Sequence, residues 1–160
     1  MKKVLVVYFS ATGVTAKFAK ELSKLEKADL YEIKPKTPYT TEDLDFKNKN
    51  SRSNLEMGDM SCRPEIEGKI EKMEQYDTVF IGFPIWWGRE PSIIDTFLES
   101  YDFSNKKIIP FCTSSVSDVK QAINHIKTIV GDKINVENGK RLGMDGTVEE
   151  VKIWTELLSL

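Results

Sequence analysis

The sequence predicts an α/β fold, a parallel sheet covered by helices on both faces, and three observations carry that prediction. Three β-like runs, 4–9, 78–84 and 107–113, are apolar along their length instead of alternating, the pattern of strands buried on both sides. Segments with apolar residues at helical spacing separate them. Each run ends in a turn rich in hydroxyls or tryptophan, at the sheet end where ligands gather in such folds.

Taken in order, Val4 to Phe9 form the first strand, and a helix over 15–25 puts Phe18, Ala19, Leu22 and Leu25 on one face. The more amphipathic strand 28–33 suits a sheet edge. A helix over 66–73 groups Ile66, Ile70 and Met73. Strand 78–84, a helix over 93–98, strand 107–113 and a helix over 119–130 follow. A weaker strand is expected at 134–136 or at 140–142, and a helix over 148–158 closes the chain. This alternation predicts right-handed crossovers, and 160 residues suit a single domain, 1–160. Between 34 and 63 the chain is polar, with Pro35, Pro38 and Gly58. A connection of that length is either a surface excursion or a lid over a binding site.

Composition narrows the function. The 23 basic and 25 acidic side chains are interspersed, for a net charge of −2, so no basic footprint for nucleic acid is present. No apolar run approaches the ~20 residues of a membrane span. The run after Met1-Lys2-Lys3 stops at Ser10, shorter than a secretory core of roughly 7–15 residues, and a cytoplasmic location is expected. Cys62 and Cys112 lie outside any C-x-x-C pair and are expected to stay reduced. His125, the one histidine, has no cysteine or carboxylate cluster near it on the helix 119–130. No metal site and no catalytic role are expected of it.

The first turn, Ser10-Ala11-Thr12-Gly13-Val14-Thr15, joins a strand to a helix, where N–H groups and the helix dipole attract an anion. It lacks the Walker and the dinucleotide patterns, so a terminal phosphate monoester suits it, with capping by small hydroxyl residues as the plainer alternative. The second turn, Pro84-Ile85-Trp86-Trp87-Gly88, offers two indoles for stacking on a flat heteroaromatic ring. The alternative is one tryptophan packed inside and the other on the surface. The third, Thr113-Ser114-Ser115-Val116-Ser117-Asp118, offers N–H groups to a ligand's polar edge, with Ser117 or Asp118 equally suited to cap the next helix.

Together these turns resemble the flavodoxin-like family: F-x-S-x-T-G-x-T at Phe9 to Thr15, G-F-P-I-W-W-G at Gly82 to Gly88, and P-F-x-T-S at Pro110 to Ser114. The resemblance implies a three-layer, doubly wound, five-stranded parallel sheet in order 2-1-3-4-5, and FMN as cofactor. It implies that Ser10, Thr12, Gly13, Val14 and Thr15 bind the FMN phosphate. Pro84, Ile85, Trp86, Trp87 and Gly88 would line the isoalloxazine, and Thr113, Ser114 and Ser115 its pyrimidine edge or ribityl chain. The Trp87–Gly88 peptide would be the one that flips its carbonyl toward reduced N5. Relatives reading T-S-G-G-S-G in the third turn have glycines where this chain has Ser115, Val116 and Asp118. Asp118 there disfavours an anionic reduced ring. The implied function is electron transfer with a redox partner protein; the alternative is an FMN-dependent NAD(P)H or quinone oxidoreductase with a small quinone-like acceptor. The catalytic residues, the physiological donor and acceptor, and the choice of monomer or homodimer are not readable from the sequence.

Overall fold

A computed structural model describes residues 3–158; residues 1, 2, 159 and 160, the ends of the expected 1–160 domain, lie outside the described residues. The first half runs β1 (Val4–Tyr8), α1 (Val14–Leu25), β2 (Asp29–Glu32), β3 (Lys34–Pro35), α2 (Arg52–Met57) and β4 (Ile66–Glu67). The second half runs β5 (Thr78–Pro84), α3 (Ser92–Glu99), β6 (Lys107–Ser114), α4 (Lys120–Val130), β7 (Asn135–Val136), β8 (Lys140–Gly143) and α5 (Val148–Leu158). Single 3-10 turns form at Glu42–Leu44 and Met73–Gln75.

The main sheet is parallel in order β2-β1-β5-β6-β7, with β8 continuing beside β6. Counted along the five expected strands, this is 2-1-3-4-5. Both candidates for the fifth strand therefore exist, as two halves of one position. Val136 pairs with Ile108 and Lys140 resumes opposite Phe111, so the break faces Pro110, which has no N–H to donate. The chain passes that point at Gly139 (φ 60°), where a Cβ would come 2.1 Å from the Pro110 carbonyl oxygen.

Alternate residues of the central strands feed two cores, which explains why those strands are apolar throughout. Leu5, Val7, Phe9, Val79, Ile81 and Phe83 join α3 and α4 on one face. On the other, Val6, Phe80, Ile109 and Phe111 meet Phe18 and Leu22 of α1 and Val151 and Trp154 of α5. Gly82 leaves room for the Phe111 ring, which a Cβ would approach to 2.2 Å.

The expected helix over 66–73 does not form. Ile66 and Glu67 pair antiparallel with Pro35 and Lys34, Gly68 turns at φ 79°, and Ile70 N–H donates to the Tyr101 hydroxyl (2.8 Å). A helix of eight residues with a central glycine is marginal, whereas Glu65-Ile66-Glu67 also fits the two-residue period of a strand. Ile66, Ile70 and Met73 still reach the core, Ile66 from the short strand β4 and Met73 from the 3-10 turn. Among the described residues no helix is long and apolar enough to cross a membrane.

Candidate functional site

Three connections meet at the carboxyl end of the sheet, and buried hydrogen bonds hold them in register. Phe9 N–H donates to Gly82 O (2.9 Å), and Ile85 N–H donates to Thr113 O (3.2 Å). The buried hydroxyls of Thr15 and Thr113 hydrogen-bond each other at 2.8 Å.

In the first connection Gly13 precedes α1 at φ 97°, and a Cβ there would meet nothing within 4 Å. The glycine therefore serves the left-handed backbone and leaves the turn open. Ser10 Oγ accepts from Gly13 N–H (3.1 Å) and Ala16 N–H (3.2 Å), which leaves its own O–H to donate. The first turn of α1 carries no acidic residue, so no side chain there offsets the positive end of the helix. Thr12 is exposed and Val14 half-buried beside this opening. The arrangement suits an anion.

The second connection is a tight turn. Trp86 N–H donates to Arg89 O (2.9 Å) and Arg89 N–H to Trp86 O (3.1 Å), with Trp87 at φ 52° and Gly88 at φ 79°. Positive φ at both central residues defines a type I′ turn. Glycine takes that conformation freely, whereas a tryptophan in it costs roughly 1–2 kcal/mol. Trp86 packs edge-on against Phe9 and Tyr39, with ring centroids 5.6 and 5.4 Å away. Trp87 is 59% exposed, and its Nε1–H donates to Asn54 Oδ1 (2.8 Å). One tryptophan thus packs inward and its neighbour lies at the surface, yet both wall the same cavity.

That cavity, of about 300 Å3, lies between Ala11, Thr12, Ile85, Trp86 and Trp87 on one side and Leu44, Phe46, Ser53, Asn54 and Met57 on the other. The segment 34–63 is therefore a folded wall. Arg52 stacks on the Tyr39 ring (3.8 Å) and donates to Glu56 Oε2 (3.1 Å) and Thr37 O (2.7 Å). Asn54 donates to Phe46 O (3.0 Å) and Asn48 O (2.7 Å) while it receives the Trp87 indole. None of the five wall residues from this segment stood out in the sequence. The signal was Ser51, whose side chain accepts from Asn54 N–H and starts α2, but the surrounding polar residues mask it.

Of the residues expected to bind a ligand, Thr12, Ile85, Trp86 and Trp87 face this cavity. Ser10, Gly13, Val14 and Thr15 surround the start of α1, and Pro84 ends β5 in register with Thr113. In the third connection Thr113 and Ser114 end β6 and are buried, while Ser115 is exposed. Ser114 Oγ donates to Ser117 O, and Arg141 donates to Ser114 O (3.1 Å) and Ser115 O (3.4 Å). Asp118 Oδ1 accepts from the N–H of Lys120 (2.7 Å), the first residue of α4, whose N-cap position is Val119.

His125 departs from expectation: the fold sets it against two carboxylates. Its Nδ1 lies 2.7 Å from Glu90 Oε1 and 3.7 Å from Asp95 Oδ1, and both acids are fully buried. The separation of 35 positions between Glu90 and His125 hid this group from a local reading. Buried Arg89, which closes the tryptophan turn, donates to Glu90 O (3.1 Å) and Asp95 Oδ2 (3.3 Å), with Glu90 Oε1 at 3.5 Å. Burial, reinforced by Asp95, pushes the Glu90 carboxyl up to about 9. Burial also raises Asp95, to about 6. Burial together with Arg89 and Arg63 holds the His125 imidazole below its ordinary value.

A parallel α/β sheet with an open helix N-terminus and an indole-walled cavity at its carboxyl ends is the doubly wound architecture, with the cavity at the sheet end where such folds hold ligands. The chain belongs to the flavodoxin family, whose model, described as Flavodoxin, matches residues 3–158. A candidate flavoprotein of Bacteroides uniformis ATCC 8492 is 44% identical, with a TM-score of 0.92 over 97% of this chain and 98% of that one. Another from Bacteroides eggerthii DSM 20697 is 40% identical, with a TM-score of 0.91 over 100% and 99%. A flavoprotein of Lactobacillus acidophilus NCFM, whose structure is in complex with FMN, is 26% identical, with a TM-score of 0.71 over 97% and 99%. No curated protein matches the sequence.

Proposed function

We propose that the protein binds FMN and works as a one-electron carrier between redox partners. The observation that carries this reading is the convergence of an unneutralised α1 N-terminus with a cavity walled by Trp86 and Trp87. The donor set matches a phosphate monoester: backbone N–H groups around Gly13 and the hydroxyls of Ser10 and Thr12, with Thr15 held by Thr113. About 300 Å3 of largely apolar cavity is of the size that small ligands occupy. The FMN bound by the similar flavoprotein of Lactobacillus acidophilus supports the same reading.

In this reading Ser10, Thr12, Gly13, Val14 and Thr15 hold the phosphate. Pro84, Ile85, Trp86, Trp87 and Gly88 border the ring, and Thr113, Ser114 and Ser115 lie toward its polar edge or ribityl chain. FMN, when bound, supplies the electron chemistry. The chain orients it, excludes water with the 34–63 wall, and presents the Trp87–Gly88 peptide beside it.

A carrier and an NAD(P)H or quinone oxidoreductase separate in one experiment. The protein loaded with FMN is mixed with NAD(P)H, with and without a quinone, and then photoreduced. A carrier leaves NAD(P)H unconsumed and accumulates one-electron-reduced flavin. Rapid, quinone-dependent NAD(P)H consumption overturns the carrier reading in favour of the enzyme.

A further inference from the structure

The group Arg89, Glu90, Asp95 and His125 is more costly than a scaffold needs. Both carboxylates are fully buried, and Arg89 Nη2 and Asp95 Oδ1 are buried without a hydrogen-bond partner. Buried polar groups left in that state in a native fold call for an explanation. Their position supplies one. Arg89 is the last residue of the turn that places Trp87, so its backbone closes the turn while its side chain is anchored in the cluster.

The charges balance only with a proton. Arg89 offsets one carboxylate, and the second requires one proton, shared across the 2.7 Å contact between Glu90 Oε1 and His125 Nδ1. Removing it leaves two carboxylates against one guanidinium in a buried site. The charged groups facing this pair are Arg89, Asp95 and Glu99 of α3, and Arg63 from the segment before β4, which itself pairs with Glu99. Relief must come from water or a cation. The space open to them is a cavity of about 460 Å3 beside Arg89 and His125, whose wall includes Trp87, Met57 and Gln121. Trp87 and Met57 wall both this cavity and the one beside Thr12.

We propose that Glu90 and His125 are positioning residues that form a proton-dependent clamp on the Trp86–Arg89 turn. With its proton the pair keeps the charge of the cluster balanced around Arg89 and holds Trp87 on Asn54. Without it the cluster hydrates through the His125 side and the Trp87 indole leaves Asn54. The clamp is a property of the ligand-free chain. Its effect on FMN rests on the reading above.

The test is proton–nitrogen NMR of the ligand-free protein from pH 6 to 10.5. With a single histidine in the chain, the His125 ring signals need no further assignment. The Trp87 Nε1–H signal and the His125 ring are expected to shift together in one alkaline step, which Glu90→Gln abolishes. If Glu90→Gln does not fold, His125→Gln supplies the test. Its amide donates permanently to Glu90, favours the ionised carboxylate, and moves the Trp87 step to lower pH. A Trp87 signal that stays fixed while the cluster titrates, or a step that either variant leaves unchanged, overturns the clamp. With FMN present, affinity is expected to fall across the same step in the wild type only. Absence of FMN binding at every pH would defeat the cofactor reading and leave the NMR outcome to decide the clamp.

Discussion

Removing the hydroxyl of Thr15 or of Thr113 tests how the first and third connections are joined. The two oxygens are 2.8 Å apart, and the residues are 2% and 1% exposed. Thr15→Val or Thr113→Val alone leaves the other hydroxyl buried without its partner, at about 1–3 kcal/mol. Both together exchange the pair for two methyl groups and cost about 1 kcal/mol or less. The double-mutant cycle should therefore show an interaction energy of at least about 1 kcal/mol, the sum of the two single costs less the cost of the double variant. Urea unfolding of the four ligand-free proteins measures it directly. Thermal unfolding should show shifts of about 2–4 °C per kcal/mol for a chain of this size. Additive single effects, or a double variant worse than the sum, would refute the link between the connections.

Other consequences follow from the turn and the buried cluster. Gly88→Ala places a Cβ at φ 79° and 2.9 Å from Gln121 Oε1, and should cost about 1–2 kcal/mol in urea unfolding, because the left-handed backbone penalty remains even if Gln121 moves. Asn54→Ala removes the acceptor of the Trp87 indole and two amide bonds to Phe46 and Asn48. It should lower stability by about 1–3 kcal/mol and increase quenching of tryptophan fluorescence by acrylamide. Above pH 6.5 the unfolded chain leaves Glu90 ionised and His125 neutral, while the folded pair keeps one proton up to about 9. The folded state then binds the extra proton, so stability should fall with rising pH over this window, at roughly 1.4 kcal/mol per unit. A Glu90→Gln variant should lack this slope, and equal slopes in both proteins would contradict the raised Glu90.

The sheet was legible because burial on both faces leaves its mark on every residue of β1, β5 and β6. Edge strand β2 and helices α1, α3, α4 and α5 were legible from their apolar faces. The segment 66–73 was misread because Ile66, Ile70 and Met73 satisfy a helical spacing while Gly68 and the pairing of Ile66 with Pro35 decide the local structure. That pairing depends on a partner more than 30 residues away, which periodicity does not register. The two halves of the fifth strand each showed as a weak strand, but only the sheet places Pro110 opposite their break. Half of the candidate site was visible as turns of unusual composition. The other half was not: Asn54 and Met57 look like surface residues until Arg52 on Tyr39 folds their segment against Trp86 and Trp87. The cluster at His125 was hidden for the same reason, since α3 and α4 bring its members together.

Titration of FMN into the purified, flavin-free protein, followed by tryptophan and flavin fluorescence, tests the central claim most directly. Binding at one FMN per chain is expected, with tryptophan quenching that shrinks when Trp87 is replaced by phenylalanine and affinity that falls in Gly13→Ala, where φ 97° disfavours a side chain. Retention of free-flavin fluorescence throughout the titration, with no quenching, would contradict the account.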